Sequence, residues 1–207
     1  MPVRLAIPAL FGLATGLLAA PVPKAVAPAE HQKNLREAGD LQQKRREADE
    51  RGDEAGVRKF GEQFAEAVRK LVPNLTAVKP EETATPKEYV KLALNAGKTK
   101  FDAFRFTAPE GKVNWNLDWE FVYAKGTKLR SWSIQPAAGT MPGFTQFRTS
   151  ENWMEDFADL PQHNIRVTQD LPGGRLVPGA EYVIWFAFED EKPVEVFLRL
   201  GVTPSKK

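Results

Sequence analysis

The chain contains no cysteine, two histidines and four serines in 207 residues. The missing cysteine excludes disulfides, thiol catalysis and thiolate metal sites. Two histidines are too few for a histidine-rich metal centre. His31 lies beside the N-terminal processing region and is expected to be exposed near a flexible end. His163 is expected in a loop where a strand starts, and no serine sits in a nucleophile elbow to partner it. A phosphate-binding loop, a dinucleotide fingerprint and a His-Glu-x-x-His motif are all absent, and "PGG" and "GTMPG" read as turns. Charge of one sign is missing too. The 29 basic and 27 acidic residues leave a net +2. That balance gives no reason to expect nucleic acid as a partner. The sequence predicts no cofactor and no metal, and no catalytic residue stands out.

A long hydrophobic run is also lacking. Leu5 to Ala20 is apolar, but it falls short of the roughly 20 residues that a membrane-spanning helix needs. It follows Arg4 and precedes Ala25-Val26-Ala27 and Ala27-Pro28-Ala29. This order of charge, apolar run and small residues is that of an export signal. Residues 1–29 are therefore read as signal and processing region. The mature protein is expected to be periplasmic or extracellular, with no stable membrane anchor. Without cross-links, its core alone must hold it together.

Residues 30–72 read as a helical hairpin. Its first half is highly charged, with Leu35, Ala38 and Leu41 as a thin apolar stripe. After "RGDEAG", Val57, Phe60, Phe64, Ala67, Val68 and Leu71 recur at intervals of three and four, which makes a strong amphipathic helix. Glu47 with Arg51, Glu54 with Arg58 and Glu66 with Lys70 are spaced for ion pairs along the helices. Residues 73–100 read as a linker and a short helix. Thr85-Pro86-Lys87-Glu88 matches a capping box, Tyr89, Leu92 and Ala93 supply an apolar face, and Asn95-Ala96-Gly97 a stop.

From residue 101 the period changes. Seventeen of the 21 aromatic residues lie in 101–207. "WNLDWEFVY" alternates Trp115, Leu117, Trp119, Phe121 and Tyr123 against polar residues, as a half-buried strand does. A turn at Lys125-Gly126 would pair Trp119 with Trp132 and Leu117 with Ile134. A short helix is expected over Trp153 to Leu160 and a strand over 165–171. Residues 101–203 form the antiparallel β region and 204–207 a tail. "LVPGAEY" (Leu176 to Tyr182) resembles the turn before the sixth strand of fibronectin type III domains. That resemblance implies a sandwich and a tyrosine corner, the Tyr182 hydroxyl bonding back to nearby backbone.

The last hairpin poses the sharpest question. A turn at Asp190-Glu191-Lys192 would set Phe188, Phe186, Ile184 and Tyr182 opposite Val194, Val196, Leu198 and Leu200. Trp185 would then meet Phe197 on the second face. A strand apolar on both faces needs a cover, and the amphipathic helices are the expected one. Left exposed, Trp185 and Phe197 would make a stacking platform for sugar rings. Asp118 and Glu120 share the polar face of their strand, about 6–7 Å apart. Paired carboxylates of glycoside hydrolases stand at about 5–9 Å. The acidic turn at 189–191 offers too few oxygens for calcium, which takes about six to eight.

The predicted fold is α+β: a helical hairpin and a capped helix packed on an antiparallel sheet or sandwich of about six to eight strands. The predicted role is an exported, non-enzymatic interaction or structural module with a protein or polysaccharide as partner. A carbohydrate-binding module built on Trp185 and Phe197 comes second. A hydrolase built on Asp118 and Glu120 comes third.

Overall fold

The computed structural model describes residues 24–124, 127–137, 146–148, 162–169 and 176–205. The chain is α+β. Helices α1 (Pro28–Glu50) and α2 (Glu54–Leu71) come first. Strands β1 (Thr76–Ala77), β2 (Val90–Leu94), β3 (Phe101–Thr107), β4 (Trp115–Ala124), β5 (Leu129–Pro136), β6 (Gln146–Arg148), β7 (Gln162–Gln169), β8 (Glu181–Phe188) and β9 (Val194–Pro204) follow.

The two helices form where the sequence places them. Asp53 caps α2 by accepting from the Gly56 N–H at 2.8 Å, which satisfies one of the free N–H groups of the first turn. Gly52 turns the chain between the helices at φ 69°, a conformation glycine takes without strain. Of the expected ion pairs, one is felt at Glu66, whose pKa is lowered by the Arg69 hydrogen bond and also by the attraction of Lys70, but the close contacts are others. Glu66 pairs with Arg69 and Arg46 with Glu50.

The strands make two sheets. Sheet A runs β1-β3-β8-β5-β6 and sheet B runs β2-β9-β4-β7. From β2 to β5, and again from β7 to β9, each strand lies in the opposite sheet from the one before it. This order is an antiparallel jelly roll, with β1 added in parallel at one edge of sheet A. The inner faces close on one core that contains Phe104, Trp119, Phe121, Trp132, Ile184, Phe186 and Leu198.

Three sequence expectations change here. Residues 90–94 are strand β2, not part of a capped helix. Val90, Leu92 and Leu94 alternate inward beside β9, and that pairing outweighs the capping-box signal. Glu81 Oε1 accepts the Lys87 and Glu88 N–H groups instead. The two hairpins also dissolve. Strands β4 and β5 lie in different sheets, as do β8 and β9. Alternation fixes which residues point inward, but not which strand supplies the hydrogen bonds. Trp119 still meets Trp132, edge to face at 4.7 Å, but across the sandwich. Phe186 stacks at 4.9 Å on Phe121 of the facing sheet.

Two expectations are met. Tyr182 makes a tyrosine corner, its hydroxyl oxygen accepting from the Val177 N–H at 2.8 Å. Gly179, at φ 70°, turns the chain just before it. The strand expected at 165–171 is β7, which starts three residues earlier, at Gln162, and runs to Gln169; residues 170–171 lie outside the described residues. The expected helix at 153–160 lies outside the described residues.

The helical hairpin packs on the outer face of sheet A. Phe64, Ala67, Val68 and Leu71 of α2 and Leu35 and Ala38 of α1 share a second core with Ala103, Val183 and Trp185. A Cβ on Gly39 would run into the Phe101 ring, so α1 approaches the sheet closely only because residue 39 is glycine. The layers are hairpin, sheet A and sheet B.

Candidate functional site

Trp185 and Phe197 do not meet. Trp185 is on β8, a central strand of sheet A, and points away from the sandwich core into the helices. It is 0% exposed. Phe64 stands edge-on to its ring at 5.5 Å, and Phe101 stacks on it at 5.8 Å. This explains why β8 is apolar on both sides: it lies between two hydrophobic layers. No flat platform can include Trp185.

Phe197 lies on the outer face of sheet B, half-buried. Its register partners are Lys91 on β2 and Val122 on β4. The Lys91 ammonium is 5.9 Å from the Phe197 ring centroid and 2.6 Å from Glu195 Oε2. Tyr89, just before β2, is 47% exposed, and the Arg199 guanidinium lies 4.5 Å from its ring centroid. Cations over exposed rings contribute about 0.5–1 kcal/mol each. The outer face of sheet B thus carries two aromatic rings, each with a cation beside it.

Asp118 and Glu120 lie on β4. The register sets Asp118 between Gly201 of β9 and Thr168 of β7, and Glu120 between Arg199 and Arg166. Among the described residues, no group of three or more His, Asp or Glu is placed to hold a metal ion. No described helix is long and apolar enough to cross a membrane.

Hollows among the described residues lie elsewhere. A groove of about 800 Å³ runs along the helical hairpin, lined by charged residues of both signs that include Lys33, Arg36, Glu37, Glu62, Glu66 and Lys70. A cleft of about 110 Å³ lies between α1 and sheet A beside Arg46, Lys100 and Arg130. Neither is lined by a serine with a histidine. His31 is half-buried rather than exposed, and burial lowers its pKa. His163 is the second residue of β7, registered opposite Tyr123.

One polar centre escaped the sequence reading. Asn95, expected at a helix end, is fully buried at φ 55°. Its Oδ1 accepts the Thr99 and Lys100 N–H groups at 3.1 and 3.0 Å. Its Nδ2 donates to the carbonyls of Asp190 and Lys192 at 3.0 and 2.9 Å. The acidic turn is therefore anchored from below. Asp102 accepts the Asn95 and Ala103 N–H groups at 2.7 and 2.8 Å. Desolvation raises its pKa to about 6, against the pull of those two bonds. The signal for Asn95 was its tolerance of left-handed backbone, which suits a turn as well as a helix end.

A jelly roll with its own helical cover on one sheet is thus the class of protein that fold and site define. No family model matches the chain. No curated protein matches it. Among solved structures it is similar to the pre-peptidase C-terminal domain of collagenase from Bacillus anthracis, at 11% identity and TM-score 0.36, over 61% of this chain and 93% of that one. It is also similar to a family 35 carbohydrate binding module from an environmental isolate. That match has 13% identity and TM-score 0.31, over 64% of this chain and 89% of that one. Likenesses this remote assign no ligand to this chain.

Proposed function

We propose that the protein is an exported, non-enzymatic interaction module whose contact surface is the outer face of sheet B. One observation carries this reading: the helical hairpin covers the outer face of sheet A, while Tyr89, Lys91 and Glu195 on sheet B remain exposed. Aromatic side chains and arginine, here Tyr89, Phe197 and Arg199, are enriched at contact surfaces. The test is a photo-crosslinking residue at Phe197 in the native cells, with Glu62 on the hairpin as comparison. Discrete adducts from position 197 and none from position 62 support the reading. Adducts from position 62 alone would move the surface to the helical groove.

A second reading, polysaccharide binding, draws on the rings of Tyr89 and Phe197. It predicts that a soluble polysaccharide retards the protein in affinity electrophoresis, and that Phe197→Ala or Tyr89→Ala weakens the retardation about tenfold, the loss of roughly 1.4 kcal/mol. No retardation across a broad panel sinks it. The third reading, a hydrolase, requires release of reducing ends that Asp118→Asn and Glu120→Gln each abolish.

A further inference from the structure

Val26 stands two residues before α1, and one side chain holds both of its backbone polar groups. Its N–H donates to Asn74 Oδ1 at 2.9 Å, and Asn74 Nδ2 donates to its carbonyl at 2.8 Å. Asn74 closes the single 3-10 turn Val72–Asn74 that follows α2. The pair therefore ties the start of the helical hairpin to its end. Ala27 is the N-cap of α1, and its carbonyl accepts from the His31 N–H at 2.9 Å. Pro28 takes the first helical position, where its missing N–H costs nothing. A free α-amino group there would set a positive charge against the positive end of the helix dipole.

Both small-residue patterns near the junction conflict with this arrangement. Cutting after Ala27, as Ala25-Val26-Ala27 suggests, removes Val26 and the N-cap and leaves an ammonium on Pro28. Cutting after Ala29 also removes the first residues of α1. We propose that the export signal is removed at or before Ala25, so that the mature chain keeps Val26 as an N-terminal anchor clamped by Asn74. This rests on reading residues 1–29 as an export signal. The step is hydrolysis of one peptide bond by a signal peptidase. Water adds across the bond, leaving a carboxylate on the released segment and an α-amino group on the mature chain.

The test has two arms. The full chain with a C-terminal tag is expressed in an exporting bacterial host, and the exported product is weighed intact. A mass that begins between Pro21 and Val26 is expected. A product that begins at Pro28 or Glu30 overturns the proposal. An uncut chain found only in the cytoplasm ends the export reading and the processing site with it. The second arm judges the clamp without export. Chains that start at Lys24 and at Glu30 are each melted with and without Asn74→Ala. The substitution is expected to lower Tm by about 5 °C in the longer chain and to leave the shorter one within about 1 °C. Equal shifts in both chains would show that Asn74 acts elsewhere, and would overturn the clamp.

Discussion

Trp185 shows how a side chain can be read correctly and still mislead. Its position on a doubly apolar strand was legible, and so was its need for a cover. The occupant of the other side was Phe64 and Phe101, not Phe197. Trp185→Ala should destabilise by about 3–5 kcal/mol, as large-to-small changes in packed cores do. Trp185→Phe should cost far less, because the indole N–H is buried without a hydrogen-bond partner and phenylalanine removes that group. Urea denaturation of both variants checks this; equal losses would mean the indole makes a bond after all. Tyr182→Phe removes the corner bond and strands the Val177 N–H, which should cost about 1–2 kcal/mol.

Asp102 gives a pH dependence with a definite sign. Its folded pKa of about 6 lies above its ordinary value of 3.8. Between those values the folded state binds a proton that the unfolded chain has released. The contribution is therefore fully present below about pH 4 and is lost as pH rises through about 6. A carbon-13 carboxyl titration should place Asp102 near that midpoint. A midpoint below 4 would show that its two hydrogen bonds outweigh burial.

At the scale of elements, the helical hairpin was plain in the sequence because its period of three and four runs unbroken through α2. Segment 85–94 was not, because two patterns overlap in it. Tyr89, Leu92 and Ala93 have helical spacing; Val90, Leu92 and Leu94 alternate. The choice falls to the neighbour, strand β9, which is distant in sequence. The hairpins failed for the same reason, since partners across a sandwich and partners within a sheet share one alternating pattern. Asn95 joins the β2–β3 connection to the β8–β9 turn, so Asn95→Ala leaves four backbone groups without their partner. It should cost about 2–4 kcal/mol and loosen both loops, read as faster amide exchange in 95–100 and 189–193. Gly39→Ala tests the seat of α1. Alanine's helix propensity is worth about 1 kcal/mol, while overpacking against Phe101 costs about 1–3. Lower stability is expected, and a gain would mean the ring moves aside freely.

At the scale of the whole molecule, the sequence carried the layers but not their connections. A greasy central strand, an amphipathic hairpin and a half-polar strand together demand three layers. Which strands share a sheet is not set by the turn signals, since the short turn between β8 and β9 joins strands of two different sheets. The candidate site was hidden for that reason. Tyr89, Lys91, Phe197 and Arg199 come together only once β2 is a strand beside β9.

On the proposed reading, the helical hairpin closes the outer face of sheet A and a partner covers the exposed Tyr89, Lys91 and Glu195 on the outer side of sheet B. The absence of cysteine makes it directly measurable. Lys91→Cys and Glu62→Cys would each be labelled with a small maleimide, in the purified protein and in intact native cells. Both positions should react in the purified protein. In cells, position 91 should be protected while position 62 still reacts. Equal labelling of position 91 in both settings would contradict the account.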